Sequence, residues 1–274
     1  MSRVHGSTGF GVVPSVDATA NRPRFAEICE LLGSATGTPF HPYFGASYRD
    51  MQSALAQGDA GLAWVPPLLA LEGMEKKLAS PLVVPVRRGS TSYYAAILVR
   101  PGGPTTLAAL RGATIAWVDR DSVTGYQLPR AHLVSLGMDP DEMFPRELFL
   151  KTHEAAVDAL VSGRADACAT YCTVEPGSRR SVQGAWTSPD GSSARPVEVL
   201  TTLGPIPNDG LVVSDRMPRD VQTSLLRFLL APDARTRELF KLTMRAESFH
   251  AATPAHYAHL RRLVTPRTTI RPPA

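Results

Sequence analysis

The stretch that follows Pro101-Gly102-Gly103-Pro104 constrains the fold more than any other part of the chain. Paired Pro and Gly break helix and strand alike, and beyond that break five segments alternate in character. Thr114 to Val118 is an apolar run of strand length, Gly125 to Leu136 has helical spacing, Glu147 to Leu150 reads as a strand, His153 to Val161 as a helix and Ala165 to Thr170 as a strand. A βαβαβ series of this kind predicts a parallel sheet with helices on its faces. Ligands of open parallel sheets bind at the carboxyl ends of the strands, so the loops after Val118 and Leu150 become the places to look for chemistry.

The flanking segments continue the alternation. Phe10 to Pro14 fits a buried strand, and Asn21 to Leu32 a helix with Phe25, Ile28, Leu31 and Leu32 at helical spacing. Ser47 to Gln57 reads as a helix with Met51, Ala54 and Leu55 on one face and Ser47 as its N-cap. Gly61 to Val65 is a strand that Pro66-Pro67 stops; Leu82 to Val86 and Tyr93 to Val99 are strands, the second long enough to cross between lobes. Glu175 to Pro196, rich in Gly, Ser and Pro, reads as a long irregular loop. Strands at Val197 to Thr202 and Gly210 to Val213 precede helices near Arg219–Leu230, Ala234–Met244 and Pro254–Leu263. A chain of 274 residues has room for two small domains. The pieces organise as two α/β lobes: residues 1–103 with 197–274 form a discontinuous first lobe, and 104–196 an inserted second one. The cleft between two such lobes is the default ligand site.

Composition removes several function classes. The formal charge of +4 is mild, and the basic residues are dispersed apart from pairs such as Arg179-Arg180 and Arg261-Arg262, so no nucleic-acid partner is expected. No apolar stretch approaches the ~20 residues that span a bilayer, and the first ten residues lack the apolar core of a secretory leader. If Met1 is the native start, the expectation is cytoplasmic; if a leader has been removed, it is periplasmic or extracellular. Three cysteines, Cys29, Cys168 and Cys172, supply no disulfide framework. Two of them without a second pair of ligands make a poor zinc site, and buried strand cysteine is the better account of Cys168 and Cys172. No GxxxxGK, HExxH or GxSxG motif is present. The expectation is therefore no cofactor, no metal and no catalytic residue.

Ser122 and Thr124 stand where a strand ends and a helix begins. Helix N-termini carry unpaired N–H groups and about half a positive charge, which suits an anion, and the two hydroxyls add donors. Gly125 permits a close backbone approach. Plain N-capping explains the same residues, and Pro129 leaves the start of the helix open. His153, opening the next helix, can donate to an anion or simply end the strand before it. Tyr48, Tyr93 and Tyr94 offer an apolar wall and a hydroxyl; alternation puts Tyr93 and Tyr94 on opposite faces, so at most one of them lines a cleft. Trp64 reads as packing. Asp209, in a Pro-rich turn, can shape the turn or face a ligand.

Taken in order, these segments resemble a family. Asp119-Arg120-Asp121-Ser122-Val123-Thr124-Gly125-Tyr126, running into Leu128-Pro129-Arg130, looks like the anion-binding turn of the phosphonate-binding proteins of ABC importers. Tyr48 with Ala63-Trp64-Val65-Pro66, Tyr93-Tyr94 through Arg100, Thr152-His153, Gly163-Arg164-Ala165-Asp166-Ala167, Pro205-Ile206-Pro207-Asn208-Asp209 and Glu247-Ser248-Phe249 follow in the matching order, from residue 9 to 265. The resemblance implies a two-lobed α/β fold of the type II periplasmic-binding-protein kind, with parallel-type sheets flanked by helices and a ligand cleft between the lobes. It implies binding of a small oxyanion, a phosphonate or phosphate-type ligand, by Ser122, Thr124, Gly125, His153, Tyr93, Tyr48 and Asp209. It favours Tyr93 over Tyr94, and gives Asp209 an amine on the ligand to meet. An ABC-transporter permease is the candidate partner of what is expected to be a monomer. The chain departs from the pattern at Cys168-Ala169-Thr170-Tyr171-Cys172, where some members carry an acidic ligand residue. The alternative reading is an enzyme of cofactor or small-metabolite metabolism on the same fold.

Overall fold

A computed structural model describes residues 7–13, 18–175, 181–188 and 192–264 of the chain. In chain order its elements are β1 (Thr8–Val12), α1 (Ala18–Thr36), β2 (Phe40–Phe44), α2 (Tyr48–Gln57), β3 (Ala60–Val65), α3 (Pro67–Glu75), β4 (Ala79–Val86) and β5 (Ser92–Val99). Then come β6 (Thr114–Trp117), α4 (Leu128–Ser135), α5 (Pro140–Met143), β7 (Arg146–Phe149), α6 (His153–Val161), β8 (Ala167–Val174), β9 (Ser181–Gly184), β10 (Glu198–Pro207) and β11 (Gly210–Ser214). Helices α7 (Arg219–Leu230) and α8 (Ala234–Met244), strand β12 (Ser248–Ala251) and helix α9 (Ala258–Val264) close the chain. These elements form two units. One holds the residues up to Ser92 with Pro207–Tyr257, the other Tyr93–Ile206 with the residues from Ala258. The boundaries expected from sequence, 103/104 and 196/197, both fall within the second unit so defined.

The first unit is built on a sheet of order β12-β4-β11-β3-β1-β2. β1 runs parallel to β2 and β3, while β11 is antiparallel to both β3 and β4. Period-two alternation decides its two faces. Phe10, Val12, Leu62, Trp64, Leu211 and Val213 share one core cluster with Phe25 and Ile28 of α1, Leu225 of α7 and Phe240 of α8. The opposite face carries small residues: a Cβ on Gly11 would lie 2.5 Å from Met51 Sδ, so α2 sits against the backbone there.

The second unit's sheet has the order β10-β5-β8-β6-β7, with β9 paired to β8. β6 is parallel to both β7 and β8, as the βαβαβ pattern requires. One face packs Ala96, Leu98, Ala116, Cys168 and Cys172 against α6; the other packs Ile97, Ile115 and Trp117 against Leu133 of α4 and Phe144.

Three sequence expectations change. Pro66-Pro67 does stop β3, but Pro67 also starts α3, because a proline at the first helical position loses no hydrogen bond. The stretch read as one irregular loop contains β9, which extends the sheet along β8. The helix expected from Gly125 begins as a π-helical turn, Val123–Gln127, and becomes α-helical only at Leu128.

Candidate functional site

Four of the seven candidate residues stand at the carboxyl ends of adjacent parallel strands in the second unit. The strands β6 and β7 leave the sheet together, because Leu150 N–H donates to Trp117 O at 3.0 Å and Lys151 N–H to Val118 O at 2.7 Å. Lys151 then takes a left-handed conformation, φ 71°, uncommon for a residue with a side chain, and turns the chain into α6. Thr152 caps that helix, its Oγ1 accepting from Ala155 N–H at 3.1 Å, which makes His153 its first residue.

The loop after β6 owes its shape to Pro129. That proline has no N–H for the Gly125 carbonyl four residues back, and Gly125 O accepts instead from Val118 N–H at 3.2 Å. The chain ahead of α4 widens into the π turn, with Gln127 N–H bonded to Ser122 O at 2.9 Å and Leu128 N–H to Val123 O. Ser122 is the cap: its Oγ accepts from Gly125 N–H at 3.0 Å. Capping does not consume the hydroxyl, since an oxygen that accepts an N–H still has its own proton to donate. Thr124 is 4% exposed, and its hydroxyl, which is not fully buried, has no hydrogen-bond partner among the described residues. The amides of Val123 and Thr124 begin the turn and have no intrahelical acceptor. Gly125 is needed for a close approach, but to the protein itself: a Cβ there would lie 2.6 Å from Val118 Cβ and 2.8 Å from Ser122 Oγ. The cation next to this turn is occupied, with Arg120 Nη1 donating to Tyr126 OH at 3.0 Å and its guanidinium 4.7 Å above the Phe149 ring.

His153 is held by β8. Its Nδ1 lies 3.0 Å from Thr170 Oγ1, and its ring meets Tyr171 edge-on at 4.9 Å. Burial pushes the imidazole below its ordinary pKa, against the opposing pull of Glu154 and Asp119, so the ring is neutral at pH 7. Nε2 has no hydrogen-bond partner among the described residues. Sequence reasoning missed Thr170, although a hydroxyl alternating with Cys168 and Cys172 on one face of a strand was the available signal. Tyr93, the second residue of β5, lies in the same unit; Tyr94, on the opposite face, packs against the cluster that holds Cys168 and Cys172.

The other two candidates, Tyr48 and Asp209, belong to the first unit. Tyr48 follows the cap Ser47 at the start of α2 and is 38% exposed. Asp209 joins β10 to β11, and its Oδ2 accepts from both Nη1 and Nη2 of Arg87 at 3.4 Å. Arg87 also donates to Met244 O at 3.1 Å and lies 5.6 Å from the Trp64 ring. Asp209 therefore has a cationic partner within its own unit, 122 residues away in sequence, which no local pattern announces. Trp64 is 4% exposed and part of the core.

Among the described residues no group of three or more His, Cys, Asp or Glu could hold a metal, and no helix is long and apolar enough to cross a membrane. All three cysteines are buried; burial raises the Cys29 thiol to about 12 and pushes Cys168 up as well, so neither is a nucleophile at neutral pH. A cavity of about 290 Å³ in the first unit, between Thr8, Gly61, Arg216 and Val221, lies toward the amino ends of β1 and β3 and contains none of the candidate residues.

Comparison with known proteins gives a consistent picture. The model of the family described as "ABC transporter, phosphonate, periplasmic substrate-binding protein" matches residues 10–257. No curated protein matches the chain. Among solved structures, a binding-protein component of an ABC phosphonate transporter from Pseudomonas aeruginosa superposes with a TM-score of 0.64 at 17% identity, covering 94% of this chain and 85% of the other. A protein of Xanthomonas citri, solved with chloride and with ATP, gives a TM-score of 0.72 in the ATP complex at 18% identity, over 95% of this chain and 96% of the other. PhnD1 of Prochlorococcus marinus, in complex with methylphosphonate, gives 0.63 at 15% identity, over 94% and 96%.

Proposed function

Because the chain belongs to the family of periplasmic substrate-binding proteins of ABC phosphonate transporters, we propose that it captures a phosphonate- or phosphate-type oxyanion at the carboxyl ends of β6, β7 and β8. The family is one of binding proteins, not of enzymes, so its site has to hold and release a ligand without reacting with it. The observation that carries the reading is the donor set. The unpartnered Thr124 hydroxyl, the Ser122 O–H, the first amides of the π turn and the neutral imidazole of His153 supply N–H and O–H donors at adjacent strand ends. Three oxygens on one tetrahedral centre can each accept two such bonds, and charge-assisted hydrogen bonds of this type are about twice as strong as neutral ones. The methylphosphonate complex of PhnD1 and the ATP complex of the Xanthomonas protein support the same oxyanion class. Tyr93, Tyr48 and Asp209 are the residues proposed to meet the rest of the ligand. Membership of the family implies a permease as partner and supports work in the periplasm.

A thermal-shift screen over methylphosphonate, 2-aminoethylphosphonate, phosphate, phosphite, sulfate and acetate tests the proposal. A true ligand at 100 times its Kd stabilises the fold by about 2.7 kcal/mol, which is a shift of several degrees. Stabilisation by phosphonates or phosphate above that by acetate is expected. Equal, marginal shifts with every anion would refute it.

A further inference from the structure

We propose that Thr170 is a positioning residue of the anion site: its hydroxyl donates to Nδ1 of His153 and locks the ring as the Nε2–H tautomer, which presents an uncharged N–H donor to the oxyanion. The inference rests on the functional reading above, which it deepens.

Thr170 is fully buried in β8, on the face that also carries Cys168 and Cys172 and looks onto Ala156 and Val157 of α6. Valine has the same shape, and a buried hydroxyl without a partner is costly, so a threonine here needs something to bond. The one hydrogen-bond partner of this hydroxyl among the described residues is His153 Nδ1, at 3.0 Å. Its direction follows from what each choice leaves behind. If Nδ1–H donated to the threonine, the hydroxyl proton would be stranded in an apolar layer, and Nε2 would offer a lone pair to an incoming anion. If the threonine donates, both groups are satisfied and Nε2 carries the proton.

The second constraint is orientation. His153 is the first residue of α6, where a side chain has little of its own helix to lean on. The Thr170 bond and the edge-on contact with Tyr171 fix the ring from the β8 side. Among the described residues, the charged groups that act on the imidazole are Asp119 from the loop after β6 and Glu154 on α6, with Tyr171 of β8 against the ring. None is a cation, and burial outweighs the two carboxylates, so the ring stays neutral. A neutral N–H is the form that can serve an oxyanion without a proton exchange on binding.

The experiment uses the full chain, with ¹⁵N-labelled histidine and methylphosphonate as the probe. In ligand-free wild type at pH 7.5, the His153 side chain should show a protonated Nε2 and an unprotonated Nδ1. Thr170→Val should produce a mixture of tautomers and weaken methylphosphonate binding about fivefold to tenfold, the scale of one misplaced hydrogen bond. Thr170→Ser should restore both, which a purely steric role would not require. A wild-type ring protonated on Nδ1, or a Thr170→Val protein that keeps both the tautomer and the affinity, would overturn the inference. The tautomer is read without ligand, so it separates this inference from the functional reading, whose own failure would appear as a wild type that binds neither methylphosphonate nor phosphate.

Discussion

Replacing Ser122 by alanine and, separately, by glycine splits the capping role its oxygen has in the structure from the ligand-binding role proposed for it. The hydroxyl accepts from Gly125 N–H at 3.0 Å as a cap; in the proposed complex it donates its proton to the ligand. Loss of a serine cap to alanine costs about 1 kcal/mol of stability, whereas glycine at the same position costs only a few tenths, because it leaves the amide open to water. Both substitutions delete the donor equally. A hydrogen bond to a charged partner is worth about 1.5–3 kcal/mol, which is roughly a 10- to 150-fold loss of affinity. The stability of the two variants should therefore differ while their affinities coincide. Urea unfolding of the ligand-free proteins gives the first quantity and isothermal titration with methylphosphonate the second. A Ser122→Gly protein that binds as the wild type does would show that Ser122 is a cap and nothing more. Affinity that falls only in Ser122→Ala would point to the same conclusion.

Thr124→Val should lower methylphosphonate affinity by a similar factor without lowering the melting temperature, since the hydroxyl it removes has no partner among the described residues; unchanged titration would take Thr124 out of the site. Asp209→Asn should cost no more than about 1 kcal/mol of stability, because the pair with Arg87 is long, and about a third of each side chain is exposed. If Asp209 also meets an ammonium group, that substitution weakens 2-aminoethylphosphonate more than methylphosphonate, and equal titrations for the two would leave the carboxylate to Arg87. Cys168→Ser puts a hydroxyl into an apolar layer and should destabilise by about 1–3 kcal/mol with ligand affinity retained, as urea unfolding and titration would show; lost binding in a folded variant would refute the packing role.

The second unit was the more legible half. Its alternation of strand and helix is local, and α6, like α7 and α8 of the other unit, begins and ends at the residues that periodicity indicated. What escaped were elements whose pattern is set by neighbours. β2 is an edge strand that contains Pro42, permitted there because an edge need not donate on both sides. β9 is four residues long and exists as a strand through its pairing with β8. β12 likewise takes its register from β4. The seat around Ser122 and Thr124 was visible as a strand-to-helix junction, but the π turn was not, because it needs both Pro129 and the Val118 amide that takes over the Gly125 carbonyl. The partners of the side chains were hidden for a plainer reason. Thr170 and Arg87 reach His153 and Asp209 from 17 and 122 residues away, and spacing within one segment cannot announce such a pair.

The place of β11 between β3 and β4 sets a timetable for the nascent chain. The two strands it joins are complete by Val86, yet the strand that fills the gap starts at Gly210. At about 5–20 residues per second, translation leaves both inner edges unpaired for on the order of ten seconds. An unpaired edge invites association with any extended segment nearby. Half-made copies of this protein are thus exposed to one another on the ribosome in a way that the finished molecule is not. A holding chaperone that occupies those edges until residue 214 has emerged would cover that interval, which a stronger final core cannot do.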